Sequence, residues 1–181
     1  MATTKTIGSG EIHAAIERLA TAIATRHPQR ERLLLLGIAN GGIELTCRLA
    51  RRLGAKAGTL DISFHRDDIG RHPIPKEFSP THLPADVHGA SVVLVDDVLF
   101  SGRTVKAALD ELFDHGRPTI VELAILVDRG GRRLPVAADY CGLVLTATES
   151  EKVVVRLDAE YPTRDLIRVE PAASAKRTSA V

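Results

Sequence analysis

In Val92-Val93-Leu94-Val95-Asp96-Asp97-Val98-Leu99-Phe100-Ser101-Gly102-Arg103-Thr104, four apolar residues run into two adjacent carboxylates and then a turn of small residues. The apolar run predicts a strand buried on both faces. The turn leads into a helical pattern, with Val105, Ala108, Leu109 and Leu112 on one face. Backbone N–H groups at such a turn point outward with the helix dipole behind them, which makes an anion site. Ser101 and Thr104 add hydroxyl donors, and Gly102 lets backbone approach a phosphate closely. Carboxylates beside a phosphate cradle suit a sugar phosphate, because they accept hydrogen bonds from a vicinal diol. Separately, an Asp-Asp pair is often a solvated turn and a Ser-Gly turn often only a helix cap. The thirteen residues in register with strand, turn and helix favour the functional reading.

Working outward, Ile12, Ile16, Leu19 and Ile23 predict an amphipathic first helix that ends near His27-Pro28. Leu33-Leu34-Leu35-Leu36 predicts a buried strand, and Gly37-Ile38-Ala39-Asn40-Gly41-Gly42 a turn into a second helix reaching Leu53. Alternation over 59–64 predicts a strand, as do the apolar runs 120–127 and 153–157. Residues 66–84 hold Pro73, Pro75, Pro80 and Pro84 without any period. A loop of that length in a compact domain usually acts as a lid or is disordered. Strands alternating with helices define an α/β fold, a mostly parallel central sheet flanked by helices. Ligands in such folds bind at the carboxyl ends of strands where strand order reverses, and both glycine-bearing turns fall there.

A chain of 181 residues suits one domain, expected over 1–171, with 172–181 a disordered tail. Net charge is +1, which provides no global field toward nucleic acid or an anionic membrane. Cys47 and Cys141 lack C-x-x-C spacing, in keeping with reduced thiols. No stretch approaches the roughly 18 apolar residues of a membrane span, so a cytoplasmic protein is expected. The seven histidines show no metal-ligand spacing. Arg48, Arg51 and Arg52 at helical spacing suggest a solvated face. Neither G-x-x-x-x-G-K-[ST] nor G-x-G-x-x-G occurs, so no P-loop or dinucleotide fingerprint is present.

The segment 92–104 resembles the phosphoribosyl pyrophosphate (PRPP) motif of type I phosphoribosyltransferases. With Gly58-Thr59-Leu60-Asp61-Ile62-Ser63-Phe64-His65-Arg66-Asp67-Asp68, Gly116-Arg117-Pro118, Leu126-Val127-Asp128-Arg129-Gly130 and Arg133-Leu134-Pro135, the chain is similar to the PyrR family from about Glu11 to Asp158. That resemblance implies the type I phosphoribosyltransferase fold, with a flexible active-site loop and a small hood. It implies a uracil phosphoribosyltransferase that turns uracil and PRPP into UMP and pyrophosphate with Mg²⁺. UMP-responsive regulation of pyrimidine genes through messenger RNA, and a homodimer or larger homo-oligomer, are implied as well.

By the same resemblance, Asp96 and Asp97 hold the ribose hydroxyls, and Phe100, Ser101, Gly102, Arg103 and Thr104 line the ribose 5-phosphate. Ala39, Asn40, Gly41 and Gly42 form the pyrophosphate loop. Many relatives carry arginine or a threonine-arginine pair there, whereas this chain has Asn40-Gly41. Mg²⁺ and Arg66, a catalytic candidate at the root of the long loop, are expected to offset the missing charge. Asp128 and Arg129 fall at the base hood. Phe100 stands where several purine-using relatives carry an acidic residue, which favours a pyrimidine base; together with the stretch Leu126–Pro135 it argues against the alternative bases hypoxanthine, guanine and orotate. The alternative is mainly an RNA attenuator with weak catalysis. Arg18 and Arg26 remain on the first helix for RNA, but Glu17 and Thr21 interrupt that face. Ala137, Leu143 and Glu149 stand where RNA-binding relatives are often basic, and only Lys152 is kept.

Overall fold

The structure, a computed structural model, describes residues 5–63, 65 and 80–172. Arg66, Phe64, most of the 66–84 loop and the tail from 173 lie outside the described residues. In chain order the elements are β1 (Thr6–Gly8), α1 (Ser9–Arg26), β2 (Leu33–Ile38), α2 (Ile43–Leu53), β3 (Lys56–Leu60) and β4 (Ser91–Leu99). They continue as α3 (Arg103–His115), β5 (Ile120–Asp128), β6 (Tyr140–Val144), β7 (Glu151–Arg156), a 3₁₀ turn (Pro162–Arg164) and β8 (Leu166–Pro171).

The main sheet is parallel throughout, in the order β3-β2-β4-β5-β6. Its central strands read as unbroken apolar runs because both faces are covered. Leu33 and Leu35 of β2 and Val93 and Val95 of β4 join one core with α1, α2 and the small sheet. Leu34, Leu36, Val92 and Leu94 point the other way, into a second core under α3. Alternation along each strand thus welds two cores to one sheet. Each fully buried leucine contributes about 1.5–3 kcal/mol relative to exposure. The α1 stripe Ile12, Ile16, Leu19 and Ile23 is fully buried or nearly so, as its helical spacing predicts.

Strand order reverses between β2 and β4. The chain moves outward from β2 to β3, and in the opposite direction from β4 to β5 and β6. A crevice opens there at the carboxyl ends, between the turn after β2 and the turn after β4.

Several boundaries differ from the sequence expectations. β4 does not stop at Val95 but runs to Leu99, because β5 continues the ladder through Leu99↔Asp128 after β2 has ended. The strand expected over 59–64 ends at Leu60, where its partner β2 ends at Ile38. Ile62 is still buried in the same core, which explains the apolar alternation. A separate antiparallel sheet, β1-β8-β7, packs beside α1. Of its strands only β7 was legible, because β1 is three residues long and β8 alternates with charged positions.

Arg48 is not part of a solvated face. It is 4% exposed and pairs with both oxygens of Asp165, with Glu44 and with the Asp158 carbonyl. Asp165 also accepts the Asp158 N–H at 2.8 Å and lies 3.0 Å from His13 Nε2. The network ties α1 and α2 to the start of β8, which anchors the small sheet.

Candidate functional site

The site is built where β4 outruns β2. β2 pairs with β4 only as far as Gly37↔Val95, so Asp96 and Asp97 project past the edge of that ladder. Alternation places Asp97 on the face of Val95, against the turn after β2, and Asp96 on the face of Leu94. A Cβ on Gly41 would stand 2.6 Å from Asp97 Oδ1, and one on Gly42 would overlap the Val95 carbonyl. Only glycines allow this turn to lie so close to β4. The Ala39–Asn40 peptide is cis.

After Leu99 the chain turns through Phe100 and Ser101 into α3. Gly102, the residue before the helix, has φ +91, a left-handed conformation that favours glycine. It brings no side chain to cap α3. Ser101 Oγ lies 3.3 Å from the Arg103 N–H and accepts from it. The helix start thus presents an amide-rich, positively poled surface toward the crevice.

Between these turns is a cleft of about 450 Å³. Ala39, Gly41, Asp96, Asp97, Phe100, Ser101, Arg103 and Thr104 line it, so most residues singled out from the sequence meet here. Ile62 and Val98 also line it, and sequence reasoning missed them. Both belong to apolar patterns that announce only core.

Burial pushes the Asp96 carboxyl well above the usual carboxylate range, and the Asp97 charge beside it pushes the same way. Burial raises Asp97 as well. The Asp97 N–H donates to Asp96 Oδ1 at 2.9 Å, which favours ionised Asp96 but does not outweigh the burial. Asp96 is buried and Asp97 half-buried, so the two neighbouring carboxyls resist being ionised together. A ligand that brings donors or positive charge would favour their ionised form.

Asp128 and Arg129 stand behind the cleft wall. Asp128 accepts from Arg132 Nη2 at 2.5 Å and from the Gly130 N–H at 2.8 Å. Arg132 also donates to the carbonyls of Leu99 and Phe100 at 3.2 and 2.8 Å. The Ser101 carbonyl accepts the N–H groups of Arg133 and Leu134. The segment 128–136 is thereby clamped over the turn after β4. Arg132 lies between the two quoted stretches 126–130 and 133–135, and its role as a clamp depends on contacts that the sequence does not show.

Among the described residues, His65, Glu111 and Asp114 bring one ligand atom each to within 4.8 Å of one another. Burial opposes ionisation of Glu111, but bonds from Thr81 and His115 outweigh it, so its carboxyl lies below the usual range. Histidine spacing could not reveal this trio, because α3 supplies both acids.

A family model described as phosphoribosyl transferase domain matches residues 8–161. A Streptomyces coelicolor protein named bifunctional protein PyrR is 46% identical over 172 residues, covering 90% of this chain and 88% of the relative. A Leifsonia xyli protein of the same name is 41% identical, covering 94% and 98%. In fold, the chain superposes on the hypoxanthine phosphoribosyltransferase of Trypanosoma cruzi in a ternary substrates complex. The TM-score is 0.69 at 21% identity, with 94% and 98% of the two chains covered. The hypoxanthine-guanine phosphoribosyltransferase of Bacillus anthracis gives 0.65 at 17%, over 92% and 96%. The chain belongs to the phosphoribosyl transferase family and, within it, to the PyrR proteins.

Proposed function

We propose that the protein transfers the phosphoribosyl group of PRPP to uracil, giving UMP and pyrophosphate. The observation that carries this reading is the switch-point cleft, lined by Asp96, Asp97 and the Ser101–Thr104 turn, with Asp97 against the glycine turn after β2. Asp96 and Asp97 accept from the ribose hydroxyls, and their negative field favours the positive charge that builds on the ring. Ser101, Gly102, Arg103 and Thr104 wrap the 5-phosphate. Ala39, Asn40, Gly41 and Gly42 offer backbone to the pyrophosphate, with Arg66 added from the long loop. The bond from the anomeric carbon to pyrophosphate breaks as uracil N1 bonds to that carbon and gives up its proton to solvent, so catalysis is positioning and electrostatics without a covalent nucleophile. The segment from Asp128 and Arg129 backs the base hood.

The carboxylate pair suits a hard divalent cation carried in with PRPP, and Mg²⁺ would neutralise the leaving pyrophosphate there. No side chain is assigned as its direct ligand. One domain over 1–171 houses the whole site in this reading. No described helix is long and apolar enough to cross a membrane, which fits a cytoplasmic home. A homodimer or larger homo-oligomer completes the reading.

Incubation with Mg²⁺, PRPP and each base in turn tests the proposal. UMP and pyrophosphate should form with uracil. Product only from hypoxanthine, guanine or orotate would move the specificity, and product from none would remove the enzymatic reading.

The relatives' printed name, bifunctional, supports a second role as a UMP-responsive RNA regulator of pyrimidine genes. The two helix arginines expected to serve it are engaged within the fold, Arg18 on the Gly142 carbonyl at 2.9 Å and Arg26 on Glu122 at 2.5 Å. Retention of the protein's own operon leader RNA, with and without UMP at low salt, tests that role. Lack of UMP-dependent binding would end it.

A further inference from the structure

Phe100 lines the cleft, yet the ribose and phosphate chemistry leaves its ring unused. The Arg129 guanidinium lies over that ring, with its carbon 3.9 Å from the centroid. Arg129 is 8% exposed, which is unusual for a cation and calls for partners on every side. Its backbone N–H donates to the Leu99 carbonyl at 3.1 Å, and Nη2 donates to the Thr148 carbonyl at 3.0 Å. Among the described residues its buried Nε has no oxygen or nitrogen acceptor. The charge of the guanidinium is met by the electron-rich π face of Phe100.

Two further features fix the ring. Gly131 closes against it, since a Cβ there would stand 2.6 Å from Phe100 Cε2. Thr148 donates its own N–H and hydroxyl to Glu151, the first residue of β7, at 2.9 and 2.8 Å. A continuous chain, Phe100–Arg129–Thr148–Glu151, therefore joins the cleft wall to the small sheet.

We infer that Arg129 is a positioning residue that sets base selection through Phe100 instead of touching the base. This rests on the uracil reading above and adds the means of discrimination. A guanidinium that met the base would need to open on the cleft, whereas Phe100 lines the cleft and Arg129 is covered behind it. A phenyl ring held by a cation and by the Gly131 backbone makes a flat, apolar wall of fixed position. A planar one-ring base fits against such a wall, and a two-ring base needs the ring to move. Planar stacking also explains the residue type: arginine stacks and donates in one plane, which lysine does not.

Arg129→Met keeps the aliphatic stem but removes the planar cation and the donor to Thr148. The KM for uracil should rise about tenfold, the scale of one lost cation–π contact. PRPP affinity measured without base, and kcat at saturating uracil, should stay within about twofold. The double variant with Phe100→Leu should have the uracil KM of Phe100→Leu alone, because Arg129 acts only through the ring. Arg129→Lys keeps the charge but not the planar cation and should raise the uracil KM too, which keeps the inference testable if Arg129→Met folds poorly. An unchanged KM in Arg129→Met and Arg129→Lys overturns it. Additive effects in the double variant, or a parallel loss of PRPP affinity in Arg129→Met, overturn it equally. UMP formation by the unaltered protein leaves the uracil reading standing in each of those cases. No UMP from the unaltered protein overturns both.

Discussion

Gly41 and Asp97 meet so closely that a Cβ on Gly41 would stand 2.6 Å from Asp97 Oδ1. The turn after β2 and the carboxylates of β4 are therefore one unit. A side chain at 41 would have to displace the carboxylate proposed to hold the ribose. We expect Gly41→Arg, which supplies the charge this turn lacks, to lower kcat/KM by about a hundredfold, the cost of an ångström-scale misplacement. Steady-state kinetics with PRPP and uracil check this. An increase would mean the turn has room and was short only of charge.

Asp97→Asn should abolish turnover while leaving the fold intact. Asp96→Asn removes a buried charge that folding disfavours, so its melting temperature should equal or exceed that of the parent. Each kcal/mol gained corresponds to about 2–4 °C for a chain of this size. Calorimetry of both variants decides; a fall of several degrees in Asp96→Asn would mark the pair as structural.

The same pair sets opposite pH trends for stability and activity. Its folded pKa values are raised, so its contribution to stability is fully present below the ordinary carboxylate range and is lost as pH rises through the folded values. Activity needs the ionised pair and should fall as pH drops through those raised values. The acid limb of kcat/KM should therefore lie above the ordinary carboxylate range. In Asp96→Asn the carboxyl raised furthest is gone and only Asp97, raised by burial, is left to titrate, so residual activity should show the limb moved to lower pH.

The Arg48–Asp165 pair anchors the small sheet, with side chains 5% and 0% exposed. Arg48→Met leaves Asp165 buried without its charge partner and should cost about 3–5 kcal/mol. Urea unfolding measures it. A loss under about 1 kcal/mol, the worth of a surface pair, would show that the network holds nothing in place.

Much of the fold and site was legible in local pattern. Leu33–Leu36 and the apolar run before Asp96 announced strands covered on both faces, and Ser101-Gly102 announced the turn into α3. Pairing partners were not legible. Nothing within β4 says that β5 will carry its ladder on to Leu99, nor that β2 stops where Asp96 begins. Arg48 looked like a surface cation because its partner Asp165 is more than a hundred residues away. Arg129 over Phe100 and Gly41 against Asp97 are likewise contacts between different loops. Residue types at these positions hinted at chemistry, but only the three-dimensional arrangement shows which side chain faces the cleft.

Titration of Mg²⁺–PRPP into the unaltered protein and into Ser101→Asp, followed by calorimetry, is the most direct test of the cleft. Ser101→Asp sets a carboxylate in the turn proposed to cradle the 5-phosphate, without touching the core. We expect saturable binding to the unaltered protein, weakened about a hundredfold or more in the variant by the like charge placed against phosphate. Equal binding to both proteins, or none to the unaltered one, would contradict the assignment of this cleft to PRPP.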